Sequence, residues 1–160
     1  MADVVEYARQ RGIRVVIEFD IPGHAESWCK GYPSVCPSIT CPTPLDPSVQ
    51  DTYDLMTGLW GEVTGNASGK GIFPDNYIHL GGDEVSTGCW SNTPRIQAWM
   101  DQQGITADQA YMYIVKKAHD IVESMGRHSI HWEEGQCAVF GFLVFLHFCM
   151  RALQNNYYVH

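Results

Sequence analysis

The sequence has no basic surplus, no nucleotide-binding glycine motif and no long apolar span, and each absence narrows what it can be. Lys and Arg total 10 against 18 Asp and Glu, for a formal charge of -8 and a pI near 5.2. An acidic surface repels nucleic acid and anionic lipid, so neither is expected as a partner. Gly81-Gly82-Asp83-Glu84 lacks the G-x-G-x-x-G spacing and no Walker-type G-K-[ST] occurs, so nucleotide cofactors are not indicated. No C-x-x-C pair is present, which argues against structural zinc and against a thioredoxin-like site. The apolar run from Cys137 to Met150 is shorter than the roughly 17 to 25 residues of a typical membrane span, and none is expected. Met1 to Glu6 has neither the basic nor the apolar stretch of a secretory leader, and the true start is expected to lie upstream.

What is present reads as one globular domain with a real core, at 160 residues, 45% hydrophobic and 18% charged. Six cysteines (Cys29, Cys36, Cys41, Cys89, Cys137 and Cys149) are many for a cytosolic domain of this size. Asn66-Ala67-Ser68 is a glycosylation acceptor in a Gly-rich stretch expected to be an exposed loop. Together they favour the secretory pathway.

Three short runs are apolar and then turn acidic at their carboxyl ends. They are Ile13 to Asp20 (IRVVIEFD), closed by Pro22-Gly23; Tyr77 to Leu80, entering Gly81-Gly82; and Ser129 to Glu134 (SIHWEE). Helical period lies between them. Asp46 predicts a helix cap with Pro47 in the first turn, followed by Val49, Tyr53, Met56, Trp60 and Val63 at spacings of three and four. Thr106 and Gln109 form a capping-box pair, and Ala107, Ala110, Tyr111, Ile114, Val115, Ala118, Ile121 and Val122 draw one apolar face. Shorter helices are expected over Pro94 to Asp101 and Asp3 to Gln10.

This β-α-β-α-β order predicts an α/β fold with a parallel sheet, whose functional groups gather at the carboxyl ends of the strands. Asp20, the Asp83-Glu84 pair and Glu133-Glu134 all fall there. One acidic strand end could simply begin a solvated loop. Three together point to an active site.

His79-Leu80-Gly81-Gly82-Asp83-Glu84-Val85 resembles the signature of family 20 glycoside hydrolases, the β-N-acetylhexosaminidases. The similarity extends to Glu18-Phe19-Asp20-Ile21-Pro22-Gly23-His24, Trp28, Gly31-Tyr32-Pro33 and Pro44-Leu45-Asp46. It continues through Thr87, Cys89-Trp90, Thr93-Pro94-Arg95-Ile96, Trp99 and Trp132-Glu133-Glu134, roughly the first 134 residues. The resemblance implies a partial TIM (β/α)8 barrel, approximately strands three to five with their helices. It also implies retaining, substrate-assisted removal of terminal N-acetylhexosamine from glycans, with no cofactor and no metal. A secretory destination (vacuole or lysosome, cell wall or extracellular space) and dimerisation are implied for full-length relatives.

The chemistry explains the residue types. Glu84 would be the proton donor and then the base that activates water, a role that needs a pKa raised by an apolar enclosure. Asp83 would accept the acetamide N–H and stabilise the oxazolinium ion. Trp132 would pack on the sugar face, while Asp20, His24 and Glu134 would bind or support. Cys41 and Cys89 sit like a disulfide of the family that pins two active-site loops; Cys36 with Cys89 is the alternative, and spacing does not choose.

After Glu134 the resemblance stops. Residues 135–160 are expected to be a non-family apolar tail, read as translated intron or out-of-frame sequence, with a short tail anchor as the lesser alternative. Three strands leave sheet edges unpaired, so the chain as written is expected to be unstable and without turnover. Two other readings stay open. One is a metal-dependent hydrolase built on His24, His79, His131, Asp20 and Glu84, although H-x-H and H-E-x-x-H spacings are missing. The other is a truncated, non-catalytic glycan-binding fragment.

Overall fold

The computed structural model of the protein describes residues 1–65 and 71–140, apart from the side chains of Cys137 and Phe140. Three strands form one parallel sheet in chain order: β1 (Ile17–Glu18), β2 (Tyr77–His79) and β3 (His128–Ile130). Ile17 and Glu18 pair with Ile78 and His79, and Tyr77, Ile78 and His79 pair with His128, Ser129 and Ile130.

The strands are shorter than expected over Ile13 to Asp20 and Ser129 to Glu134. Among the described residues the ladders of β1 and β3 reach only as far as β2, itself three residues long, gives them partners. Single bonds nonetheless carry the pairing past the strand ends. Phe19 N donates to His79 O (2.9 Å), Ile21 N to Leu80 O (3.0 Å), Leu80 N to Ile130 O (2.8 Å) and Trp132 N to Gly81 O (3.0 Å). The three carboxyl ends therefore stay aligned into their loops. Glu133 and Glu134 leave the strand and open helix α7 (Glu133–Phe140).

Helix α1 (Ala2–Arg9) leads towards β1, α3 (Gln50–Thr64) joins β1 to β2, and α6 (Ala107–Ser124) lies between β2 and β3. The capping box of α6 forms as expected: Thr106 Oγ1 accepts from Gln109 N at 3.2 Å, and Thr106 N donates to Gln109 Oε1 at 2.8 Å. Its buried face is Ala110, Tyr111, Ile114, Val115, Ala118 and Val122, with Ala107 and Ile121 partly covered. Helix α5 (Pro94–Gln103) takes Pro94 in its first turn, where the missing N–H costs nothing. Asp46 does not cap α3, which starts four residues later. Its carboxylate is fully buried, accepts from Ser48 N (2.8 Å) and Ser48 Oγ (2.6 Å), and pairs with Arg95. A buried charge needs that cation more than the helix needs a cap. The short helices α2 (Glu26–Gly31) and α4 (Gly88–Asn92) and the 3₁₀ turn Pro33–Val35 were not foreseen.

Met56 and Trp60 of α3, Ile78 of β2, Trp90 of α4, Ile96 and Met100 of α5, and Ile114 and Val115 of α6 are essentially sealed from solvent. Each such side chain contributes about 1.5–3 kcal/mol on burial. The division expected between residues 134 and 135 falls inside α7, whose Ala138 is buried in this core. Residues 141–160 and the acceptor Asn66 lie outside the described residues. Among the described residues no helix is long and apolar enough to cross a membrane.

Candidate active site

The loop after β1 folds back on itself at His24, whose φ is 50°. That turn brings its Nδ1 within 2.6 Å of Asp20 Oδ2. The other oxygen, Asp20 Oδ1, accepts from Gly82 N at 3.0 Å, so one carboxylate ties the β1 loop to the β2 loop.

The β2 loop is the most contorted segment of the described chain. Gly81, Gly82 and Glu84 have φ of 65°, 96° and 53°. A Cβ at Gly81 would collide with the carboxylate of Asp20, so only glycine fits there. Glu84 adopts the left-handed region at a cost that surrounding bonds must offset. One of these is Glu84 N donating to Glu134 Oε2 at 3.1 Å, from the first turn of α7. Glu84 Oε2 then lies 3.6 Å from His24 Nε2.

Asp20, His24, Asp83, Glu84 and Glu134 are thus brought together from three strand ends. The imidazole of His24 holds its proton more tightly than an ordinary histidine, chiefly through its bond to Asp20 and also through the charges of Asp83 and Glu84. Burial raises the pKa of Asp83 and that of Glu134, and their carboxylate neighbours push the same way. Asp83 Oδ1 is buried with no hydrogen-bond partner among the described residues. Glu84 is not enclosed as expected: its side chain is 62% exposed, because none of the described loops covers it.

Trp132 is tied to the β2 loop by its backbone N–H, which donates to Gly81 O, and its side chain lies against β1 and β2. It is 48% exposed, donates from Nε1 to Glu18 Oε1 (3.1 Å), and its ring centroid lies 4.6 Å from that of His79. Glu18 and Tyr111 were not foreseen as site residues. Glu18 lies inside a motif read for its later residues. Tyr111, whose hydroxyl donates to Gly82 O at 2.5 Å, is indistinguishable by period from a core residue of α6.

The histidines invoked for a metal centre divide. Donor atoms of Asp20, His24 and Asp83 lie within 4.8 Å of one another and could hold a cation. His79 and His131 are engaged elsewhere: His79 Nδ1 accepts from Gly81 N (3.2 Å), and His131 Nε2 meets Ser129 Oγ (3.0 Å). Burial, then His119 and His79, pushes the pKa of His131 down to about 4.

These shifts predict the pH dependence of stability. A depressed histidine contributes stability that is present above its ordinary pKa of about 6.5 and is lost towards about 4. His24, raised, contributes stability that is full below about 6.5 and is lost as pH rises through its folded value. Asp83 and Glu134, raised carboxyls, also lose stability as pH rises from about 4, which softens the acid-side fall. Urea unfolding should therefore be hardest near pH 6.5. His131→Phe should remove up to about 3 kcal/mol of the decline on the acid side. A curve that still climbs above pH 8 would contradict the assignment of His24, and an acid-side decline unchanged in His131→Phe would contradict that of His131.

Cys41 and Cys89 form a disulfide, Cα atoms 5.8 Å apart, between the loop after β1 and α4. The alternative pairing of Cys36 with Cys89 is excluded, because Cys36 is bonded to Cys29 within the α2 segment.

A carboxylate cluster gathered by the carboxyl ends of successive parallel βα units is the layout of an α/β-fold active site. The sequence model of the glycosyl hydrolase family 20 catalytic domain matches residues 1–142. Over 133 residues the chain is 45% identical to Beta-hexosaminidase 3 of Arabidopsis thaliana, covering 83% of this chain and 24% of that protein. It is 39% identical over 140 residues to the human Beta-hexosaminidase subunit beta, covering 82% of this chain and 24% of that protein. Among solved structures, the GH20 exo-β-N-acetylglucosaminidase of Vibrio harveyi, in complex with N-acetylglucosamine, matches with a TM-score of 0.71 at 31% identity. That match covers 84% of this chain and 22% of the Vibrio chain. The chain belongs to glycosyl hydrolase family 20. It spans about a quarter of the length of the curated relatives it matches.

Proposed function

We propose that the protein acts as a retaining β-N-acetylhexosaminidase, removing terminal non-reducing N-acetylhexosamine from glycans with the substrate's own acetamide as nucleophile. The observation that carries this reading is the buried, unpartnered Oδ1 of Asp83, one residue before a solvent-facing Glu84. A buried acceptor without a donor is costly, and a substrate N–H would relieve that cost. The acetamide N–H donates to Asp83, which turns the acetamide oxygen towards the anomeric carbon and balances the charge of the oxazolinium ion. Glu84 protonates the leaving oxygen and afterwards takes a proton from the attacking water. When Glu84 becomes a carboxylate it faces an imidazole that Asp20 keeps rich in protons. Glu134 fixes the backbone of Glu84, and half-exposed Trp132 offers an apolar face for the sugar ring.

In this reading the three βα units are strands three to five of a (β/α)8 barrel, and other units supply the walls that close over Glu84. Turnover then belongs to the assembled barrel, and the 160 residues alone are expected to show none. Glycosylation at Asn66, a secretory destination and dimerisation of the whole protein are part of the same proposal.

The test replaces the matching stretch of the Arabidopsis relative with residues 1–134. The hybrid should cleave a chromogenic N-acetyl-β-glucosaminide and leave the corresponding β-glucoside, which lacks the acetamide, intact. Equal cleavage of both would sink the substrate-assisted mechanism. Binding of N-acetylglucosamine without turnover would favour a glycan-binding role.

A further inference from the structure

The geometry points to Tyr111 as a positioning residue for the peptide that carries Asp83 and Glu84, acting through the carbonyl of Gly82. Only the kinetic half of its test rests on the hydrolase reading above.

Gly82 is the softest joint in the β2 loop. With no Cβ and a φ of 96°, its flanking peptides are held by bonds rather than by its own sterics. Two elements outside the loop grip it. Its N–H donates to Asp20 Oδ1 at 3.0 Å, from the β1 loop. Its carbonyl accepts from Tyr111 Oη at 2.5 Å, from α6. That carbonyl belongs to the peptide joining Gly82 to Asp83, so its direction sets where the chain enters Asp83. The third side is closed by Gly135, whose Cα lies close enough to crowd any added Cβ at Gly82.

Tyr111 suits the task. Its ring is 5% exposed within the apolar face of α6, so the hydroxyl has one fixed approach to the loop. Burial, and then Glu134, Asp83 and Asp20, raise its pKa, so the phenol remains a donor over the whole working range. Remove the hydroxyl and the Gly82 carbonyl becomes a buried acceptor without this donor, on a residue free to rotate.

A buried tyrosine hydroxyl always needs a partner, so a purely structural role is the competing account. The molecule carries its own control. Tyr53, 9% exposed on α3, donates to Pro47 O at 2.6 Å, a bond of the same kind that holds no catalytic loop. Tyr111→Phe and Tyr53→Phe each delete one oxygen and one buried bond to a carbonyl.

Amide hydrogen exchange in the hybrid barrel carrying residues 1–134 separates the two accounts. In Tyr111→Phe the amides of Gly82 and Glu84 should exchange about tenfold faster than in Tyr53→Phe, with both compared at equal distance below their melting temperatures. In the active enzyme, Tyr111→Phe should lower kcat about tenfold with KM within about twofold, while Tyr53→Phe leaves both near the parent values. Equal exchange at those amides in the two variants would overturn the inference, whatever the kinetics. If the unmutated hybrid lacks turnover, the hydrolase reading fails and exchange alone decides for Tyr111. Should Tyr111→Phe not fold, 3-fluorotyrosine at position 111, a stronger donor of nearly the same size, should slow exchange at the same amides. No change there would equally overturn the assignment.

Discussion

Glu84→Gln should lower kcat of the assembled enzyme by about 10²- to 10⁴-fold, the usual contribution of a positioned acid–base group, with little change in KM. Glutamine keeps the size of the side chain and cannot transfer the proton. The loop should survive the change, because the bond that holds residue 84 runs from its backbone N–H to Glu134 Oε2. Among the described residues, the side chain's close polar neighbour is His24, at 3.6 Å. With 62% of the side chain open to solvent, the change in stability should stay within about 0.5 kcal/mol. A steady-state assay on a chromogenic N-acetylglucosaminide, paired with urea unfolding, reads both quantities. Full activity in Glu84→Gln would remove Glu84 from the mechanism. Lost activity with lost stability would make it a structural residue instead.

The second large effect concerns the loop that carries Cys41. The Cys41–Cys89 disulfide closes a sequence separation of 48, for which the chain-entropy relation gives about 4 kcal/mol of stabilisation. Cys29–Cys36 closes a separation of only 7 and should contribute about 2 kcal/mol. Replacing Cys41 and Cys89 with serine should therefore shift the urea midpoint about twice as far as replacing Cys29 and Cys36. The loop has other anchors: Arg95 donates to Cys36 O (2.8 Å) and Pro37 O (3.1 Å), and Trp90 Nε1 donates to Leu45 O (3.1 Å). If both double variants lose the same stability, those anchors, and not the covalent bond, hold the loop.

Much of the scaffold was legible because it rests on local rules. The capping box at Thr106 and Gln109 and the apolar stripe of α6 are short-range features, and both stand where the period puts them. The meeting of Asp20, Asp83, Glu84 and Glu134 was legible from the acidic ends of three apolar runs, since a parallel sheet aligns such ends. Asp46 shows the limit. As a neighbour of Pro47 it reads as a helix cap, and only the arrival of Arg95, 49 positions away in the chain, turns it to another use. Tyr111 and Glu18 were hidden for the same reason, their partners being 29 and 114 residues distant. The left-handed backbone of Glu84 leaves no compositional trace, and that of His24 only a faint one, since neither residue type favours it as glycine does.

The span of the bonds across the site also says when it can form. Asp20 reaches Gly82 across 62 residues, and Glu134 reaches Glu84 across 50. These are non-local contacts, whose closure entropy must be met before they stabilise anything, whereas α3 and α6 rest on local bonds. On a ribosome the order is stricter still. Glu84 emerges with its backbone ungripped and gains its holder only after fifty further residues have been synthesised. For most of that interval β1 and β2 lack the strand that completes the sheet.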